Sequence, residues 1–198
     1  MHALIMAGGA GSRLHLGEKP LIDICGKPMV SYVINAFRSA GCYPVIVTSP
    51  RTPMTMNWCR VNEVEFCKAD GVGYIEDLVQ AAVTLEITRP VFTSVCDIPC
   101  ITTDIIGYIA DQYEKSGKDA CSTWIPADLI RSCRESMPYR EKIEGTDCCP
   151  AGLNILRGSG IDHPQEELQL LIADRRLALN VNTRPDLAEV REFILKNT

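Results

Sequence analysis

Apolar runs of strand length alternate with segments of helical spacing along most of this chain, and few architectures accept that alternation. The runs lie at residues 3–6, 44–47, 64–67, 91–95, 121–125 and 152–156. Between them, residues 30–40, 74–85 and 103–116 carry apolar side chains at the three- and four-residue intervals of a helix face. Strands linked through helices pair in parallel, and a parallel sheet needs cover on both faces. The expected fold class is therefore α/β, three layers around a mainly parallel central sheet. Residues 168–172 are also apolar, but their periodicity fits strand and helix equally. A last helix is expected from about Pro185 to Leu195, capped by Asn182-Thr183, with Leu187, Val190 and Ile194 on one face.

Ligands of such sheets bind at the carboxyl ends of the strands, so candidate residues should lie on strand-to-helix loops. The first loop is the richest. Ala3-Leu4-Ile5-Met6 runs into Ala7-Gly8-Gly9-Ala10-Gly11-Ser12-Arg13, and Glu18-Lys19-Pro20 follows. A strand ending in a glycine-rich turn aims several backbone N–H groups at one point, and glycine lets an anion approach without a Cβ in the way. Arg13 and Lys19 add a bidentate fork and a mobile point charge, so phosphate is the expected ligand. Two commoner phosphate motifs are excluded by spacing. Gly17 is followed by Glu18-Lys19-Pro20, which places no hydroxyl for a Walker A loop, and Leu14 stands where a dinucleotide fingerprint needs its third glycine. Ser49, Asp70-Gly71 and Asp97 fall on the later loops.

Composition narrows the partners. A chain of 198 residues is ordinary for one domain spanning 1–198, and long enough to bury about two-thirds of its unfolded surface. The net charge of −5 argues against nucleic-acid binding, which wants a basic face, so attraction for phosphate must be local. Gly8-Gly9 interrupts the N-terminal apolar run too early for a signal sequence, and no membrane span is expected. The ten cysteines contain no Cys-x-x-Cys pair, which is poor zinc spacing and reads as buried thiols in a reducing cytoplasm. Cys96 and Cys100 around Asp97, and Cys148-Cys149 before Pro150, are the four that could confer sensitivity to oxidation. His2, His15 and His163 have no recognisable catalytic partners.

The segment from Leu4 to Arg13, followed by Glu18-Lys19-Pro20-Leu21, resembles the signature loop of nucleotidyltransferases that join an NTP to a phosphorylated acceptor. Gly73-Tyr74-Ile75-Glu76-Asp77-Leu78, Pro150-Ala151-Gly152-Leu153-Asn154 and Asn180-Val181-Asn182-Thr183 with Asp186-Leu187 are similar, in that order, to the archaeal GTP:adenosylcobinamide-phosphate guanylyltransferases of cobalamin biosynthesis. The signature loop and the Asn-x-Asn-Thr element are shared with molybdenum-cofactor guanylyltransferases. The resemblance implies a Rossmann-like three-layer sandwich of the nucleotidyltransferase fold, transfer of GMP from GTP to a phosphorylated corrinoid, and Mg2+ as cofactor. The alternatives are a molybdenum-cofactor guanylyltransferase and a non-catalytic nucleotide-binding subunit of the same fold. A homodimer is compatible with any of these.

The same resemblance implies residue roles. Arg13, Lys19 and Asp97 are the expected catalytic group, with Asp97, before Pro99, as the metal ligand and Arg13 on the β/γ side. Ala7, Gly8, Gly9, Ala10, Gly11, Ser12, Ser49, Asp70 and Gly71 are expected to bind nucleotide with Arg13 and Lys19; guanine is read either by Asp70, a carboxylate that could accept from N1–H and N2–H2, or by backbone groups around Ser49 or Gly71. Pro150, Ala151, Gly152, Asn154 and Asn182 are expected on the acceptor side, and residues 73–78 are expected to help choose the acceptor. The irregular stretch 127–149, with Arg131, Arg134, Arg140 and Lys142, reads either as an insertion over the substrate or as a solvated helix and loop.

Overall fold

The computed structural model describes residues 1–9, 14–130 and 139–197. Ala10, Gly11, Ser12 and Arg13, expected around the phosphates, lie outside the described residues, as do Arg131, Arg134 and Cys133.

Seven strands form the main path of the sheet among the described residues. In spatial order they are β5 (Phe66–Lys68), β4 (Tyr43–Thr48), β1 (His2–Met6), β6 (Pro90–Val95), β9 (Thr146–Arg157), β7 (Ala120–Pro126) and β10 (Glu167–Leu171). A short strand β8 (Glu141–Ile143) pairs with β9, and β2 (Asp23–Ile24) with β3 (Lys27–Pro28) makes a separate hairpin. Strands β5, β4, β1 and β6 run parallel, and β10 runs parallel to β7. The apolar stretch at 168–172 is thus an edge strand.

Side-chain alternation explains the layers. Ala3, Ile5, Ile46 and Phe92 face one side, where α1 (Met29–Ser39), α2 (Pro53–Val61) and α4 (Thr103–Ser116) cover them. Leu4, Met6, Val45, Val47 and Val91 face the other, under α3 (Tyr74–Thr84). With both faces buried, the central strands carry nearly unbroken apolar runs, as parallel strands do. Phe37 of α1 and Phe92 of β6 anchor the first face with rings 5.4 Å apart and tilted by 60°. A smaller cluster, including Leu14, Ile22, Met29, Val181 and Leu187, seats the last helix, α5 (Arg184–Asn197), against Leu14 and Ile22. Leu187 and Val190 are buried there. The carboxylate of Asp186 accepts from the backbone N–H groups of Asn182 and Thr183, and the Thr183 hydroxyl accepts from the Asp186 N–H at 3.4 Å, so the expected cap is present.

Three expectations need correction. Strand β9 spans twelve residues rather than five and is antiparallel to both β6 and β7. It returns from β8 through Glu144-Gly145, both at positive φ, the backbone of a tight two-residue hairpin turn, and this short connection cannot produce a parallel pair. Consequently Pro150, Ala151, Gly152 and Asn154 lie within a strand and not on a strand-to-helix loop. The described part of the 127–149 stretch is this hairpin and a 3-10 turn at Ala127–Leu129. Finally, α2 carries little apolar patterning, with only Thr55 and Cys59 buried, so periodicity gives no sign of this helix.

Candidate active site

Strand β1 stays paired to its end, with the Ala7 N–H donating to the Val47 carbonyl at 2.8 Å, and the chain then turns at Gly8. The Ser49 hydroxyl donates to the Gly8 carbonyl at 2.7 Å and accepts from the Arg51 N–H at 3.1 Å. A Cβ at Gly8 would stand 3.1 Å from the Ser49 Cβ, and one at Gly71 would stand 3.2 Å from the same atom. Three loops thus close around Ser49, and two of them need glycine to do so. Ser49 itself is buried, and its hydroxyl joins loops to one another.

The far side of the signature loop is fixed at Glu18. Its carboxylate accepts from the N–H groups of Met54 and Thr55 at 2.7 and 2.6 Å and from the Thr55 hydroxyl at 2.6 Å. Those N–H groups belong to the first turn of α2, where no intrahelical acceptor exists and negative charge is favoured. Glu18 therefore clasps the loop to α2, and buried Pro20 locks the following backbone.

Between these anchors Lys19 points inward. Its ammonium donates to Asp97 Oδ2 and, at 2.8 Å, to Asn182 Oδ1. Asn182 is oriented by the Asn180 amide oxygen, which accepts from Asn182 Nδ2 at 2.9 Å, and the Val181 N–H donates to the Asp97 carbonyl at 2.9 Å. Both members of the ion pair are 14% exposed. Charges this far from water demand partners, which the Asn-x-Asn element completes. Yet Asp97 Oδ1 is buried without a hydrogen-bond partner among the described residues. That free hard oxygen suits a magnesium ion, which takes one or two carboxylates and fills its remaining positions with phosphate oxygens and water. Among the described residues no cluster of three or more His, Cys, Asp or Glu could hold a metal by itself, so the phosphates of a nucleotide would have to supply the rest.

A cleft of about 350 Å³ opens at this point, lined among others by Gly8, Gly9, Lys19, Gly71, Asp97 and Asn182. Gly73, Tyr74 and Asp77 line the same cleft. The segment expected to choose the acceptor therefore forms a wall of the cavity that holds the phosphate-loop residues. Asp70 is exposed and absent from the lining, with its N–H bonded to Gln80 Oε1 at 2.9 Å.

On the acceptor side, Asn182 alone touches this cleft. Pro150 is exposed and Ala151 is packed in the core. Asn154 Oδ1 accepts from the Thr123 N–H at 3.2 Å, filling the place of a ladder bond where the β7–β9 register shifts. Gly152 sits in that bulge at φ +76°, and a Cβ there would fall 2.7 Å from Val95 Cγ2. Val95 is itself a cleft residue, so Gly152 bears on the cleft through packing. The thiols beside Asp97 are chemically quiet. Burial pushes Cys96 and Cys100 up to about 12, with the Asp97 charge adding to the effect at Cys96, and this leaves little thiolate to oxidise.

The sequence model for the MobA-like NTP transferase domain matches residues 3–189. The chain belongs to that family. This MobA-like chain is 29% identical over 207 aligned positions to the adenosylcobinamide-phosphate guanylyltransferase of Methanocaldococcus jannaschii, covering 99% of the chain and 98% of the relative. It is also 29% identical over 148 positions to the bifunctional protein GlmU of Bacillus mycoides, covering 71% of the chain but 32% of that longer protein. Among solved structures, the molybdopterin-guanine dinucleotide biosynthesis protein A of Archaeoglobus fulgidus superposes with a TM-score of 0.71 at 19% identity, over 99% of the chain and all of that protein. This last likeness is one of fold.

Proposed function

We propose that this nucleotidyltransferase moves GMP from GTP to adenosylcobinamide-phosphate. An oxygen of the acceptor phosphate attacks the α-phosphorus in line, a new P–O–P bond forms, and the bond from the α-phosphorus to the β-phosphate oxygen breaks to release pyrophosphate. Such a reaction asks for positioning and charge neutralisation and needs no covalent nucleophile. The observation that carries the reading is Lys19, a cation held between Asp97 and Asn182 in the cleft, in a chain that aligns over its whole length with a guanylyltransferase acting on this acceptor.

Lys19 stabilises charge as it develops between the α-phosphate and the incoming phosphate, while the backbone of Gly8 and Gly9 lines the phosphate path. Arg13 takes the β/γ side by its place in the signature loop. Asp97 Oδ1 would hold magnesium, which when bound screens the repulsion between the two phosphorylated substrates. The reading includes a cytoplasmic enzyme, in keeping with described helices too short or too polar to cross a membrane. Its test is GTP incubated with adenosylcobinamide-phosphate or with molybdopterin while pyrophosphate is followed. Release with the corrinoid alone is expected, and release with molybdopterin alone would overturn the proposal in favour of the related cofactor enzyme.

A further inference from the structure

We propose that Asp77 reads the guanine base, an assignment that rests on the guanylyl reading above. Asp77 is 7% exposed, lies in the first turn of α3 and lines the cleft. One oxygen is committed to the fold, with Oδ1 accepting from the N–H groups of Gly71 and Val72 at 2.9 and 3.2 Å. The other accepts nothing from the described residues, and no described cation pairs with it. It stands 3.6 Å from where a Gly8 Cβ would be, at the mouth of the loop that turns out of β1. A carboxylate oxygen without a donor on a residue this buried calls for one, and Asp77 lines the cleft.

Chemistry tells which part of a nucleotide meets it. Asp77 opens α3 after β5, and its free oxygen reaches back to Gly8 at the end of β1, one strand from β6, where Lys19 and Asp97 gather. A phosphate offers a carboxylate no donor and repels it, so the donors a nucleoside triphosphate can bring to this oxygen are those of its base and its ribose hydroxyls. Guanine presents the adjacent donors N1–H and N2–H2 to Asp77 Oδ2, whereas adenine presents the unprotonated N1 and would set acceptor against acceptor. Asp70, the carboxylate favoured by sequence, points to solvent.

Asp77→Asn isolates the free atom, because the amide oxygen can still accept from Gly71 and Val72 while the amide nitrogen replaces Oδ2. Calorimetry with GTP, XTP and ATP on parent and variant is the test. The variant should melt near the parent temperature, and its preference for GTP over XTP should fall by about ten- to a hundredfold, since the new donor matches xanthine O2 and the lost acceptor was charged. Equal weakening of all three nucleotides would assign Asp77 to the ribose or to loop support and overturn the proposal, as would an unchanged ratio. Should the variant not fold, N1-methyl-GTP on the parent decides: affinity equal to that of GTP overturns the assignment, and a loss of about tenfold or more supports it. A parent that binds ATP as tightly as GTP would instead refute the guanylyl reading itself.

Discussion

Glu18 and Thr55 meet twice: one carboxylate oxygen accepts both the backbone N–H and the hydroxyl of Thr55 at 2.6 Å, tying the residue before Lys19 to the first turn of α2. Glu18→Ala should therefore cost about 1–2 kcal/mol in stability, the scale of a lost helix cap, and also lower turnover by releasing Lys19. Glu18→Gln keeps an acceptor for the two Thr55 donors but sets its amide NH2 against the Met54 N–H, and should recover only part of both. Melting curves beside kcat check this; a stability loss with unchanged kcat would make the clasp purely structural.

Lys19→Ala should reduce turnover by about two or more orders of magnitude, the size expected when a transition-state charge contact is removed. Nucleotide affinity should fall less. Steady-state rates with calorimetric titration separate the two, and near-parent turnover would remove Lys19 from the mechanism.

Asp97→Asn should shift the magnesium dependence of turnover to higher concentration while leaving metal-free nucleotide binding nearly intact, because the asparagine removes the charge behind the free Oδ1. Magnesium titrations at fixed substrate give the answer. A superimposable curve for variant and parent would leave Asp97 only its ion pair with Lys19.

At Gly152, a side chain meets both a left-handed backbone and Val95. Gly152→Ala should destabilise the protein by about 1–3 kcal/mol, the cost of a strained φ, and weaken nucleotide binding by pushing Val95 into the cleft. Adding Val95→Ala should restore binding while the backbone strain persists. Retained nucleotide affinity in the single variant would uncouple the bulge from the cleft.

The acid limb of stability should depend on Arg176, which bridges Asp174 and Asp104. Hydrogen bonds from Arg176 hold the Asp104 carboxyl down at about 2, against an ordinary 3.8, and lower Asp174 as well. A depressed carboxyl favours the folded state above its ordinary value and loses that contribution as pH falls from near 4 toward 2. Arg176→Gln should flatten the fall in melting temperature over that window. Parallel acid limbs would leave the cluster without weight in folding.

The parallel core was legible in the sequence because each strand buries both faces, so Ala3 to Met6 and Val91 to Val95 are written as apolar runs. The antiparallel β9 was not, since its direction follows from the Glu144-Gly145 turn and a run of side chains carries no direction. Lys19, Asp97 and Asn182 were legible as motif residues, but their contact joins three distant segments and only the fold brings them together. Asp77 left no such sign. It is buried with Leu78, Ala81 and Ala82 on the packed side of α3, but a carboxylate in a first turn is also what an ordinary helix favours, so the sequence does not set it apart. That Ala151 packs in the core and Asn154 bonds to Thr123 was not legible, because both follow from pairings of β9 that join distant segments.

Lys19 reaches Asp97 across 78 residues and Asn182 across 163. Contacts so distant along the chain form late, after local strands and helices have assembled. The phosphate loop is made well before the amide that steadies its lysine. A nascent chain halted before Asn182 therefore has the strands that shape the cleft and lacks the group that trains its cation, and the lysine takes its bridging position only once both distant segments have been made and folded.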